Sequence, residues 1–205
     1  MVVMFLLAAA SALPVSPQPP TSGVISSQDY PAEVLRGEKQ GAVLFNMYVD
    51  PRGKPLSCNV EEVYDADFSK IACARAMRTT FRPATNREGQ PVFGYFRTVS
   101  NFWLPESGKA SAYPIKPLPD MSFSVKPAPG LTARRDVTVA LIVNGEGEIA
   151  DCAPGGEGTE KRLTDAACAQ LKAQWTGEQL EYPQGSLKSY VRALTVSFEP
   201  ESVAP

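Results

Sequence analysis

The sequence predicts an α+β fold: two tandem small modules, each a three-stranded antiparallel sheet packed on one helix, with one disulfide each. Three observations predict it. Four cysteines fall as two pairs, Cys58 with Cys73 and Cys152 with Cys168, spaced 15 and 16 residues apart. In each pair the first cysteine follows a strand-like run and a Gly turn, and the second sits in an Ala-rich helical run. Val43 maps to Val137, Gly53 to Gly147 and Cys58 to Cys152 at one common offset of 94 residues, the mark of an internal repeat.

Each element has a local cause. Tyr30, Pro31 and Gly37 bracket a short helix, with Pro in its first turn and Gly at its end. Val43, Phe45, Met47 and Val49 alternate with Leu44, Asn46 and Tyr48, a period of two that makes a half-buried strand. Asp50-Pro51-Arg52-Gly53-Lys54 is turn chemistry, with Pro fixing φ and Gly supplying φ > 0. Residues 55–63 are its hairpin partner. Asp67 is a candidate cap for a helix to about residue 80, with Phe68, Ala72, Cys73, Ala76 and Met77 on one stripe. Residues 94–104 alternate again as the last strand.

The second half repeats the order. Residues 137–143 alternate, Asn144-Gly145-Glu146-Gly147 turns the chain, residues 163–175 read as a helix and 189–198 as the last strand. The boundaries are a signal at 1–12, a flexible leader at 13–26, the first module at 27–104, a Pro-rich, semi-stiff linker at 105–130, the second module at 131–200 and a tail at 201–205.

Composition excludes several classes. A net charge of −2 gives no electrostatic footprint for nucleic acid or an anionic membrane. The chain has no histidine, which removes the commonest general base and most zinc sites. No metal, cofactor or catalytic residue is expected. The run from Met1 to Ala12, ending Ala10-Ser11-Ala12, fits a secretory signal without its usual basic start; a buried helix is the alternative. It is shorter than the roughly 20 residues a spanning helix needs, so no stable membrane insertion is expected unless residues precede Met1. A signal and paired cysteines agree on an oxidising compartment.

Other clusters read as ordinary structure. Glu61, Glu62, Asp65 and Asp67 are acidic enough for paired-carboxylate chemistry, but a solvated loop and helix cap explains them. The 144–147 turn lacks the Gly-Lys-Ser/Thr of a phosphate loop. No Ser-x-x-Lys occurs; Ser107 and Lys109 are one residue too close. Arg134-Arg135 and Lys161-Arg162 are surface charges, and Phe81, Phe102, Trp103 and Trp175 are core candidates. A structural disulfide is the ordinary reading of each cysteine pair; a redox pair is usually closer, as in Cys-x-x-Cys.

Several segments together resemble the C-terminal domain of the TonB family: Tyr30-Pro31-Ala32, Gly41 with the strand after it, Asp50 and Gly53, Phe81-Arg82-Pro83-Ala84, Gly89, Pro91-Val92 and Asn101-Phe102. The resemblance covers about residues 27–104. The second half looks like a diverged copy lacking the Tyr-Pro start and the Phe-Arg-Pro-Ala segment. The resemblance implies a periplasmic partner of outer-membrane receptors, one that takes the receptor's N-terminal peptide beside its last strand by β-strand addition. Here the receiving strand is Tyr95, Phe96, Arg97, Thr98, Val99, Ser100, Asn101 and Phe102. The inner-membrane helix and long spacer of an energy transducer are not in this sequence. Three functions stay open: a peptide-binding module, a structural tandem whose halves cover each other's sheet edges, and a hydrolase with a histidine-free site. A homodimer is left open as well.

Overall fold

The computed structural model describes residues 13–21, 23–25, 29, 30, 32–102, 118–126, 131–156, 159–176 and 189–201. The expected signal at 1–12, Trp103, Ser107, Lys109 and part of the expected linker lie outside them.

The first half contains α1 (Ala32–Arg36), β1 (Gly41–Val49), β2 (Asn59–Val63), α2 (Asp67–Ala76), the two-residue β3 (Ala84–Thr85) and β4 (Pro91–Phe102). The second half contains β6 (Arg135–Val143), β7 (Ile149–Pro154), α3 (Lys161–Gln174) and β8 (Tyr190–Pro200). Between them lies β5 (Met121–Val125). In each half a central strand pairs antiparallel with the returning strand and with the last strand. Val43 faces Val63 and Ser100 across β1, and Leu141 faces Cys152 and Arg192 across β6.

The alternation written in the sequence becomes the core. Val43, Phe45, Met47 and Val49 are all fully buried, and so are Phe68, Ala72 and Ala76 of α2. Val139, Leu141 and Val143 meet Ala167 and Leu171 of α3 in the same way. Each such aliphatic or aromatic side chain contributes roughly 1.5–3 kcal/mol on leaving water. Both disulfides form, Cys58–Cys73 and Cys152–Cys168, with Cα atoms 5.6 and 5.7 Å apart. Each joins the returning strand or its approach to the covering helix, where a loop of about 15 residues closes at roughly 3 kcal/mol in the chain-entropy account.

The halves are joined rather than separate. One sheet runs β2-β1-β4-β8-β6-β7. Its middle seam is parallel: Phe93, Gly94 and Tyr95 of β4 meet Tyr190, Val191 and Arg192 of β8. Tyr95 therefore shares a face with Arg192 and with Leu141 and Val139, the face that α3 covers. The α2 face of β4 is the other one, that of Phe96 and Phe102. The two helices thus lie on opposite faces of one sheet. Tyr48 reaches across the seam, its ring edge-on to Tyr95 at 5.3 Å and to Tyr190 at 5.6 Å.

Three further details differ from expectation. Asp67 does not cap α2; it is the first helical residue, after Ala66 at the N-cap position, and its N–H donates to Asp65 Oδ1 at 3.0 Å. The segment expected as linker supplies β5. Pairing of the halves through their last strands, one of the open alternatives, is present over three residues only.

Candidate partner-binding edge

The residues that carry the family resemblance meet one another in space. Gly53 has φ of 80°, which favours glycine, and a Cβ there would overlap the Phe81 carbonyl oxygen. The Phe81 N–H donates to Gly53 O at 2.8 Å. The Asp-x-x-Gly turn and the Phe-Arg-Pro-Ala segment are thus one joint. Asp50 tightens it, its Oδ1 accepting the N–H groups of Arg52 and Lys54 at 2.8 Å. Phe81 packs edge-on against Phe96 of β4 at 5.0 Å. Tyr30 packs edge-on to Phe102 at 5.6 Å and Phe68 at 6.1 Å; burial pushes its hydroxyl up to about 12. These contacts fix the position of β4 from its α2 face.

The direction of each backbone group on β4 follows from alternation. Ala42 and Tyr48 turn their carbonyls away from β4, accepting the N–H groups of Tyr64 and Leu56. Val43, Phe45 and Met47 therefore face β4, where their partners are Ser100, Thr98 and Phe96. The N–H and C=O groups of Tyr95, Arg97, Val99 and Asn101 point to the opposite edge. Tyr95 is taken by β8. Among the described residues no strand pairs with Arg97, Val99 or Asn101 on that side. Of the eight residues expected as the receiving strand, four turn their backbone toward β1, one is paired with β8, and three have no strand partner on that side among the described residues.

On the face away from α2, polar side chains tie this stretch to β1 and β2. Arg97 binds Glu61 of β2, with Nε 2.9 Å from Oε2 and Nη2 2.8 Å from the same oxygen. Asn46 of β1 donates to Glu61 Oε1 at 2.7 Å. Burial acts to raise the Glu61 carboxyl, but the hydrogen bonds from Arg97 and Asn46 and the nearby guanidinium charges outweigh it and hold it below the usual range. This chain crosses β2, β1 and β4, so it stiffens the edge in all three strands.

Where β4 ends its pairing with β8, a second polar group fills the fork. The Arg192 guanidinium lies over the Tyr95 ring at 4.2 Å and 3.5 Å from Asp120 Oδ1. Asp120 Oδ2 accepts the Thr195 N–H at 2.8 Å, and the Asp120 N–H donates to Thr195 O at 2.8 Å. Sequence reasoning missed Asp120, Arg192 and β5; the signal for β5 was the alternation of Met121, Phe123 and Val125 with Ser122 and Ser124 inside a Pro-rich stretch.

The acidic cluster does not converge as a catalytic pair. Glu61 faces Arg97, while Asp65 and Asp67 both face Lys39. Among the described residues no group of three or more Cys, Asp or Glu is placed to hold a metal ion. A groove beside the second disulfide contains Arg87, Lys161 and Asp165, but Arg87 is paired with Asp151 and Lys161 with Asp165. Arg134 and Arg135 pair with Asp136 and Glu160, as surface charges do. No helix among the described residues is long and apolar enough to cross a membrane.

No curated protein matches this chain. Residues 26–103 match the family described as Gram-negative bacterial TonB protein C-terminal. The match spans β1 to β4 and every motif joined in the contacts above, so it is residues 26–103 of this chain that are similar to the TonB C-terminal family.

Proposed function

We propose that this protein is a periplasmic TonB-like binding module whose second half is a diverged copy of the first, and that the first module captures the extended N-terminal peptide of an outer-membrane receptor by β-strand addition. The observation that carries the reading is the edge of β4 at Arg97, Val99 and Asn101, turned away from β1 along the stretch from Gly94 to Phe102 that pairs with it. Three N–H and three C=O groups make a backbone-led site. At about 1 kcal/mol net per hydrogen bond the gross gain is only about 6 kcal/mol, which corresponds to an affinity of roughly tens of micromolar. Weak, reversible engagement of that kind suits a transport cycle that must release its receptor.

The structural-tandem reading also has an observation behind it, the β4–β8 seam. The seam covers Tyr95 and stops there, so it shortens the edge without closing it. Secretion through the segment at 1–12 completes the proposal. The test is a titration of isotope-labelled protein with synthetic receptor N-terminal peptides. The expected result is amide shifts centred on Arg97, Val99 and Asn101; shifts absent from β4 at millimolar peptide overturn the reading.

A further inference from the structure

The edge of β8 that answers to the open edge of β4 is occupied by the chain itself. Val43 pairs with Ser100 and its counterpart Val137 pairs with Val196, so Val196 stands where Ser100 stands. From Val196 to Pro200 the outer edge of β8 carries β5, five residues in parallel register from Met121 against Val196 to Val125 against Pro200. The β6 side of β8 is complete without it, from Arg135 against Phe198 to Val143 against Tyr190. The added strand is thus an augmentation of a finished sheet.

We propose that residues 120–125 are a tethered internal ligand that fills the receiving edge of the second module and keeps it closed to outside peptides. The inference rests on the reading of the halves as equivalent modules. The segment is held as a bound peptide is held. Asp120 clamps its start through both Thr195 backbone groups and Arg192. At its end Val125 O accepts the Glu201 N–H at 2.9 Å. Met121, Phe123 and Val125 pack on the second core, with Phe123 6.1 Å from Phe198, while Ser122 and Ser124 face solvent. The preferred ligand of that edge is therefore an extended segment with an acidic residue followed by alternating apolar and small polar residues. A tether sets an effective concentration near millimolar, so a free peptide at micromolar concentration loses the competition.

The test uses the full chain with disulfides intact and a fluorescent peptide of residues 118–126. Wild type is expected to bind it at least tenfold more weakly than an Asp120→Ala/Phe123→Pro variant, which loses the clamp and a ladder N–H. A folded double variant that does not bind the peptide, or a wild type that binds it equally well, overturns the proposal. Should the double variant fail to fold, Asp120→Ala alone gives the readout. Exchange at the Ser197 and Glu199 amides, which face β5, should then rise at least tenfold relative to Leu194 and Val196, which face β6; equal rates overturn it. Receptor-peptide shifts on β4 are a separate readout, so the two proposals fail independently.

Discussion

Replacing Gly53 with alanine tests the joint that seats β4, and Gly89 supplies the control. Both glycines have positive φ, 80° and 73°. A side chain at either costs about 1–2 kcal/mol for the left-handed backbone alone. At Gly89 a Cβ meets nothing within 4 Å, so that is the whole cost. At Gly53 the Cβ overlaps the Phe81 carbonyl, and the segment must move. Movement sacrifices the Phe81–Gly53 backbone bond, about 1 kcal/mol, and loosens a Phe81 ring that is 3% exposed and packed on Phe96, at least another 1–2 kcal/mol. Gly53→Ala is therefore expected to cost about 3–5 kcal/mol against about 1–2 for Gly89→Ala. At roughly 2–4 °C per kcal/mol for a chain of this size, thermal unfolding followed by circular dichroism separates the two by about 4–12 °C. Equal shifts refute the claim that the turn and the Phe-Arg-Pro-Ala segment form one load path to β4.

Reducing or replacing one cysteine pair, Cys58→Ser/Cys73→Ser or Cys152→Ser/Cys168→Ser, should cost about 3 kcal/mol in either half because the loops are nearly equal; denaturant midpoints measure it, and no loss in either half contradicts the staple reading. Hydrogen bonds from Arg87 hold Asp151 low, and those from Arg97 and Asn46 hold Glu61 low against burial, so both carboxyls have folded-state values below their unfolded ones. Their contribution is full above the unfolded values near pH 4 and is lost as pH falls through the folded values, so unfolding should ease from pH 5 to pH 3. Both pairs are partly exposed, so each is worth about 1 kcal/mol or less, and an Asp151→Asn/Glu61→Gln variant should show a flatter dependence. Arg97→Ala should leave the fold intact but lower peptide affinity a few-fold by loosening the edge, read by the same amide titration.

Local chemistry was legible in the sequence where a short stretch dictates its own structure. Alternation at residues 43–49 and 137–143 gave β1 and β6, and cysteine spacing gave both staples. The motif pieces marked the first domain, and the structure supplies their reason for travelling together: Gly53 touches Phe81, and Ala84 lies where a Cβ on Gly94 would fall. Long-range pairing was not legible. Nothing in residues 93–95 or 190–192 announces a parallel partner a hundred positions away. Five residues in a Pro-rich stretch carry too short an alternation to outvote their surroundings, so in the sequence β5 reads as part of a linker. Nor does a sequence display which residues of β4 turn their backbone groups away from β1, because strand register decides that.

The central claim is that Arg97, Val99 and Asn101 offer an open backbone edge while their neighbours are bonded inward. Residue-resolved amide exchange of the free protein tests it most directly. The account predicts fast exchange at Arg97, Val99 and Asn101, slow exchange at Phe96, Thr98 and Ser100, and protection of the first three when a receptor peptide binds. Uniform protection along β4 in the free protein would contradict it.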